Sequence, residues 1–293
     1  MKPAAFDYTA ARSVDEALAV LSQYGDEAKV IAGGQTLGPM LNMRLLMPQV
    51  LLDINRVESL SSAGRGDGGL ALGAATRQAD LEDDPGLAEV QPLVAAAIPY
   101  IAHRAIRNRG TVGGSLVHAD PAAEWGGLVH ALDAELVIAG SDGRRTVAAE
   151  DFFVGILTTA VEPEELLVEV RLPAWPRGAG WSFVEFSRRH GDFALAGVAC
   201  RLQLDGDRRC SDVRLGLIGL GDTPLRARDA EAVLVGESVG PELYRAAAET
   251  AARGIEPMSD LHASADYRRQ LTRVLVADAL AQAVDRASPG VDG

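Results

Sequence analysis

Only two cysteines, Cys200 and Cys210, occur in the 293 residues. Two thiols cannot by themselves hold an iron–sulfur cluster or a structural zinc, which take about four protein ligands each. Reduced thiols in a cytosolic protein are the expectation. No apolar run approaches the ~20 residues that span a bilayer. The start, Met1–Ser13, lacks the apolar stretch of a signal peptide. A cytoplasmic protein without membrane insertion is therefore expected. Positive charge is scarce as well: 28 Lys and Arg against 41 Asp and Glu leave a net charge of −13. That balance disfavours non-specific binding to nucleic acid or to anionic membranes. The glycine turns described below contain neither the GxGxxG spacing of a Rossmann fingerprint nor the GxxxxGK[ST] of a P-loop. NAD-first and ATP-first readings lose most of their support.

What is present is an ordinary globular composition, 47% hydrophobic, with a length that fits two modest domains. Residues 1–55 read as a small α/β unit. A strand near Phe6-Asp7-Tyr8 is followed by a helix capped by Ser13, with Glu16 completing a capping box and Gly25 as the stop. The strand Lys29–Ala32 runs into Gly33-Gly34-Gln35-Thr36, then a helix from Leu37 that includes Arg44, then the strand Val50–Ile54. That order fits a βαβ unit. Beyond it come a Gly-rich loop, Ser61–Gly69, and a strand, Gly69–Ala74. A helix starting from a Thr76 cap follows, then a helix over Pro92–Ile106 interrupted near Pro99. The segment ends in His103, Arg104, Arg107 and Arg109, which are either helix-end charges or contacts to a phosphate or partner.

The stretch Thr111–Trp125, TVGGSLVHADPAAEW, repeats the glycine-turn chemistry of Gly33-Gly34. Paired glycines let a backbone approach a ligand and expose its N–H groups. Asp120-Pro121 reads as the start of a helix. Two such turns are suited to clasp one polyphosphate from two sides, or they are unrelated tight turns. Strands at Ala134–Ala139 and Glu164–Leu172 follow, with a hairpin turn at Ser141–Arg144 and a short helix at Glu150–Phe153 between them. Pro173–Gly180 breaks all regular structure and is the expected domain boundary. Beyond it, strands at Trp181–Phe186, Ala194–Leu204 and Val213–Leu220 precede helices at Arg228–Val235, Pro241–Arg253 and Tyr267–Arg286. This is an α+β layer with a three-stranded antiparallel sheet. The division is 1–176 (as 1–55 and 56–176), then 177–287, then a disordered tail, 288–293.

Three ordered motifs resemble the FAD-binding (medium) subunits of molybdenum hydroxylases, a family that includes carbon monoxide, xanthine, nicotine and caffeine dehydrogenases. They are AGGQTLGP at Ala32–Pro39, TVGGSLVHADPAAE at Thr111–Glu124, and RRHGDFA at Arg188–Ala194. The resemblance implies a PCMH-type (vanillyl-alcohol-oxidase-like) FAD-binding fold followed by a smaller α+β C-terminal domain. It implies that Val30, Ile31, Ala32, Gly33, Gly34, Gln35, Thr36 and Leu37 wrap the FAD pyrophosphate, mainly through backbone N–H. Thr111, Val112, Gly113, Gly114 and Ser115 close the clasp, and Glu124 bonds ribose or ribityl hydroxyls. Ile101 and Leu167 line the flavin. Some relatives carry a Lys on the strand before RRHGDFA; here the strand is WSFVEF, so Arg188 or Arg189 substitutes or the role is absent, and Arg189 is carried as a cofactor contact.

On this resemblance FAD is non-covalent, and His103 and His118 are structural or solvated. The chain itself supplies no catalytic side chain and no metal site. It receives electrons from two [2Fe–2S] clusters on a small subunit, which are fed by a molybdopterin cofactor on a large subunit. The complex is a heterotrimer or a dimer of heterotrimers. A free-standing flavoenzyme is the first alternative, although the C-terminal domain offers no obvious acid–base cluster. A docking subunit that has lost FAD is the second, although both glycine motifs are intact.

Overall fold

The computed structural model describes residues 2–66 and 68–288. The chain opens with β1 (Asp7–Ala10), α1 (Val14–Tyr24), β2 (Ala28–Ile31), α2 (Leu37–Asn42) and β3 (Val50–Asp53). The strands form a parallel sheet in the order β1-β3-β2. The Ser13 hydroxyl accepts the Glu16 N–H at 3.1 Å. The Glu16 carboxylate accepts from Arg12 N–H at 2.7 Å, one residue earlier than a standard capping box. Gly25 ends α1 at φ +48°. Arg44, expected inside α2, lies beyond it at φ +58°, because the helix stops at Asn42.

The second unit contains β4 (Ala63–Gly66), β5 (Gly69–Gly73), α3 (Gln78–Glu82), α4 (Leu87–Val90), α5 (Pro92–Ala97), α6 (Arg104–Arg107), α7 (Val112–His118) and α8 (Glu124–Ala131). It continues through β6 (Glu135–Gly140), β7 (Gly143–Ala148), α9 (Ala149–Phe152), β8 (Phe153–Gly155), β9 (Thr158–Thr159) and β10 (Leu166–Leu172). Five strands make one antiparallel sheet, β4-β5-β10-β6-β7. Several expectations need correction here. The Gly-rich loop contains the edge strand β4, whose residues are all exposed, so no alternation marks it. Arg77, not Thr76, stands at the α3 cap. The expected 92–106 helix breaks at Pro99 and again at Ala102, which has φ +46°.

The third unit has β11 (Gly180–Phe186), β12 (Ala196–Leu204), β13 (Cys210–Ile218) and β14 (Leu225–Arg226), then α10 (Arg228–Leu234), α11 (Pro241–Arg253) and α12 (Ala265–Arg286). Its antiparallel sheet has four strands, not three. The fourth is two residues long, too short to leave a sequence pattern. The expected disordered tail falls on residues 289–293, outside the described residues. Its first residue, Ser288, is tied down: its N–H donates to the Gly178 carbonyl at 3.0 Å.

The second and third units share a core. Phe183, Ala194, Ala199 and Ile218 pack in the same buried cluster as Trp125, Leu128 and Leu167. Helix α8 lies on β13 at backbone contact: a Cβ added to Gly216 would stand 2.0 Å from the Gly127 carbonyl oxygen, and one on Gly126 2.3 Å from Pro224. Beside this contact Asp133 accepts from Arg201 at 3.3 Å, Arg214 at 2.7 Å and Arg226 at 2.6 Å, one arginine from each of three strands. Replacing Gly216 by Ala forces helix and sheet apart with no side chain able to yield. It is expected to cost about 1–3 kcal/mol of stability, read as a lower urea or thermal midpoint.

Candidate functional site

A cleft of about 570 Å³ opens among all three units. That lies within the ~300–1,000 Å³ range of ligand pockets. Of the motif residues, Val30, Ala32, Gly33, Gly34, Gln35, Thr36, Leu37, Thr111, Gly113, Gly114, Ser115 and Glu124 line it, together with Ile101 and Leu167. Gly191, Asp192 and Phe193 reach it from the third unit. A register shift between Leu167 and Glu169 interrupts β10 beside the cleft, a device that re-aims side chains at sites.

Three candidates do not line the cleft. Ile31 packs under Gly34, its Cδ1 3.1 Å from where a Gly34 Cβ would stand. Val112 is fully buried in the shared core. Arg189 sits in an exposed loop, where its carbonyl accepts the Ser187 hydroxyl and the Asp192 N–H. Its neighbour Arg188 meets His262 at 3.0 Å. The basic run before Thr111 is also committed elsewhere. Arg104 and Arg107 pair with Glu82 at 2.9 and 2.6 Å, and Arg107 also donates to the Ile101 carbonyl at 2.8 Å. These two side chains brace α6 against α3, so neither of their guanidiniums is free for a phosphate.

The two glycine pairs do different work. Gly113-Gly114 is not a turn after a strand. It is the first turn of α7, capped by the Thr111 hydroxyl, which accepts Gly114 N–H at 3.1 Å. Every N–H of that turn has an acceptor: Val112 donates to Thr76 O at 3.1 Å, Gly113 to Ala74 O at 2.8 Å, and Ser115 to Thr111 O at 3.1 Å. This side offers a ligand the Ser115 hydroxyl and a close-packed wall.

The Gly33 side is the reverse. The backbone N–H groups of Gly33, Gly34, Gln35, Thr36 and Leu37 have no acceptor among the described residues. Such a row ahead of a helix is an anion-binding concavity. Gly34 takes φ +67°, which glycine adopts without strain. Gly33 is required for a different reason: a Cβ there would stand 2.4 Å from the Arg109 carbonyl oxygen and 2.8 Å from Gly110 Cα. The two loops thus touch backbone to backbone, and the glycine admits the other loop rather than the ligand. A dianionic pyrophosphate fits this donor set. The apolar remainder of the cleft, Met40, Leu46, Ile101, Leu157, Val161 and Leu167, suits an aromatic ring system. None of Gly110, Leu157, Val161 and Gln78 carries a motif signal, since each arrives through long-range packing.

Glu124 is 6% exposed. It stands at the start of α8, capped not by Asp120 as expected but by Ala123. Asp120 instead accepts Ala122 N–H at 2.9 Å in a local turn. Burial pushes the Glu124 carboxyl up to about 7; Asp120 adds to the rise, and the Arg107 charge opposes it. Glu185 on β11 is pushed up to about 8 by burial and then by Glu124.

The chain matches two family models: "FAD binding domain in molybdopterin dehydrogenase" over residues 4–175, and "CO dehydrogenase flavoprotein C-terminal domain" over residues 181–283. It is 43% identical to the 6-hydroxypseudooxynicotine dehydrogenase complex subunit alpha of Paenarthrobacter nicotinovorans, over 99% of this chain and 98% of that one. It is 38% identical to the carbon monoxide dehydrogenase medium chain of Hydrogenophaga pseudoflava, over 96% and 97%. Among solved structures it superposes on a chain of the H. pseudoflava carbon monoxide dehydrogenase with a TM-score of 0.96 at 39% identity, covering 98% of this chain and all of that one. A chain of quinoline 2-oxidoreductase from Pseudomonas putida 86 gives 0.92 at 38% identity, over 97% and 99%.

Two outcomes follow from the geometry. Gly33→Val drives a side chain into the Arg109 carbonyl and should abolish FAD retention, read as flavin per chain, while far-UV circular dichroism keeps most of its amplitude; retained flavin would refute the loop contact. Glu124 gives a pH signature. Its folded-state proton affinity lies above the ordinary one near 4.5, so between about 4.5 and 7 the folded chain holds a proton that the unfolded chain releases. Stability therefore falls as pH rises through that window, by on the order of 3 kcal/mol from this residue. Glu124→Gln should flatten that slope in pH-dependent melts of the FAD-free chain.

Proposed function

The chain belongs to the FAD-binding (medium) subunits of the molybdenum hydroxylases, and from that premise we propose that it is the electron-relay subunit of such a complex. Electrons would arrive from two [2Fe–2S] clusters on a small subunit and leave to an external acceptor. A large subunit with a molybdopterin cofactor would oxidise the organic substrate. The observation that carries this reading is the row of N–H groups from Gly33 to Leu37, unpartnered among the described residues, in residues that line a cleft the other motif loop completes.

FAD, when bound, supplies one- and two-electron chemistry that matches clusters to an acceptor. The chain's own residues bind and orient. Gly33–Leu37 N–H groups hold the non-covalent cofactor's pyrophosphate through fixed dipoles, with no cation needed against the redox-active ring. Ser115 adds a hydroxyl from the α7 side, and Thr111–Gly114 close the opposite wall. Glu124, near its titration midpoint at neutral pH, can accept from or donate to a ribose or ribityl hydroxyl. Ile101 and Leu167 exclude water beside the ring. Residues 1–55 and 56–176 are the two lobes of the FAD domain, and 177–287 form a C-terminal domain whose Gly191–Phe193 loop closes the cleft. No described helix is long and apolar enough to cross a membrane, and we place the complex in the cytoplasm as a heterotrimer or a dimer of heterotrimers.

Purification of the tagged chain from its native host tests this. Stoichiometric flavin absorbance and co-purification of one large chain and one cysteine-rich small chain are expected. Turnover of an organic substrate by the chain alone, or absence of flavin from the intact complex, would overturn the proposal.

A further inference from the structure

The cradle's N–H groups must point into the cleft, and something must aim them. A peptide unit is planar and trans, so its carbonyl and its N–H point to opposite sides. Fixing the carbonyl of Ala32 therefore fixes the direction of the Gly33 N–H. That carbonyl accepts the Asn55 side-chain amide at 2.9 Å. In the same way the Gly33 carbonyl accepts the Gln35 side-chain amide at 2.9 Å, which sets the Gly34 N–H.

Asn55 is itself held on two sides. Its backbone N–H donates to Asp53 at 2.8 Å, and its side-chain amide donates to the same carboxylate at 2.6 Å, just past the end of β3. Its side-chain oxygen accepts from Arg77. The other prong of the Arg77 guanidinium donates to the Arg109 carbonyl, the oxygen on which Gly33 rests. The backbone at Arg77 lies antiparallel to the second loop: it bridges Thr111, Gln78 N–H donates to Gly110 O at 3.0 Å, and Val112 N–H donates to Thr76 O at 3.1 Å. Arg77 is half-buried, has no carboxylate partner among the described residues and does not line the cleft. Its fork joins the two loops where the Gly33 backbone meets that of Arg109 and Gly110.

We propose that Arg77 and Asn55 are the positioning residues of the pyrophosphate cradle: Asn55 aims the Gly33 N–H by holding the Ala32 carbonyl, and Arg77 locks Asn55 to the second glycine loop. This rests on the assignment of the cleft to FAD. The planar two-pronged donor is essential to the role, because a lysine keeps the charge but reaches only one of the two acceptors. Neither residue lines the cleft, so each acts on FAD affinity through the loop backbone.

The test uses the full chain with its co-purifying subunits, stripped of FAD and titrated with FAD by flavin fluorescence. Arg77→Met and Asn55→Ala are each expected to weaken FAD binding about tenfold or more, with Arg77→Lys recovering part of the loss. The double variant should bind within about twofold of the weaker single, because both act through one chain of bonds. The melting temperature of the FAD-free protein should move far less than the affinity. Wild-type affinity in both single variants overturns the inference while leaving the cleft assignment intact, as do effects that multiply in the double. So does a loss that simply tracks the FAD-free melting temperature without lysine rescue. A wild-type complex that takes up no FAD overturns the cleft assignment and this inference with it.

Discussion

Five consecutive backbone N–H groups without acceptors, from Gly33 to Leu37, are the constraint on which the site depends. Backbone donors left bare in a closed interior are costly, and here the chain keeps them at the wall of an open cleft. That choice dictates the surroundings. The strand that feeds them is short, the helix behind them is only six residues long, and their carbonyls are gripped from behind by Asn55 and Gln35. The opposite loop contributes little hydrogen bonding because its own helix turn has used its donors. The clasp is therefore asymmetric, with donors on one side and a packed wall with a hydroxyl on the other.

Charge is managed by the same division. The guanidiniums of Arg104 and Arg107 neutralise Glu82 and stiffen the approach to the second loop. The cleft itself keeps a single deeply buried carboxyl, Glu124, whose proton affinity is raised by the lack of water around it. A carboxyl whose proton affinity is raised meets a negatively charged cofactor with less repulsion than a permanently ionised one.

Local features were the legible ones. Ser13, Glu16 and Gly25 announce α1 because capping is a contact between near neighbours. The parallel β2-α2-β3 unit follows from periodicity and its glycine turn. The helix through Val112-Gly113-Gly114 was hidden, since glycine is a poor helix former and the Thr111 cap plus packing on Ala74 override it. Asp120-Pro121 misled in the opposite direction, because the Asp side chain closes a turn one step before the helix. Glu124 could be singled out only by resemblance, and Arg77 not at all, because its acceptors come from residues 55 and 109. Contacts of that separation leave no spacing to read.

The two family models meet at a gap between residues 175 and 181, which invites a view of the chain as two interchangeable modules. The contact of α8 with β13 says otherwise. Asp133 on one side satisfies arginines from three strands on the other, and the helix comes to backbone contact where Gly126 and Gly127 face Pro224 and Gly216. Recombination that brought in a C-terminal half from a distant relative would have to carry those arginines and that glycine with it. The seam therefore ties the two halves to one another: a C-terminal half with a side chain at position 216 would hold the helix off the sheet.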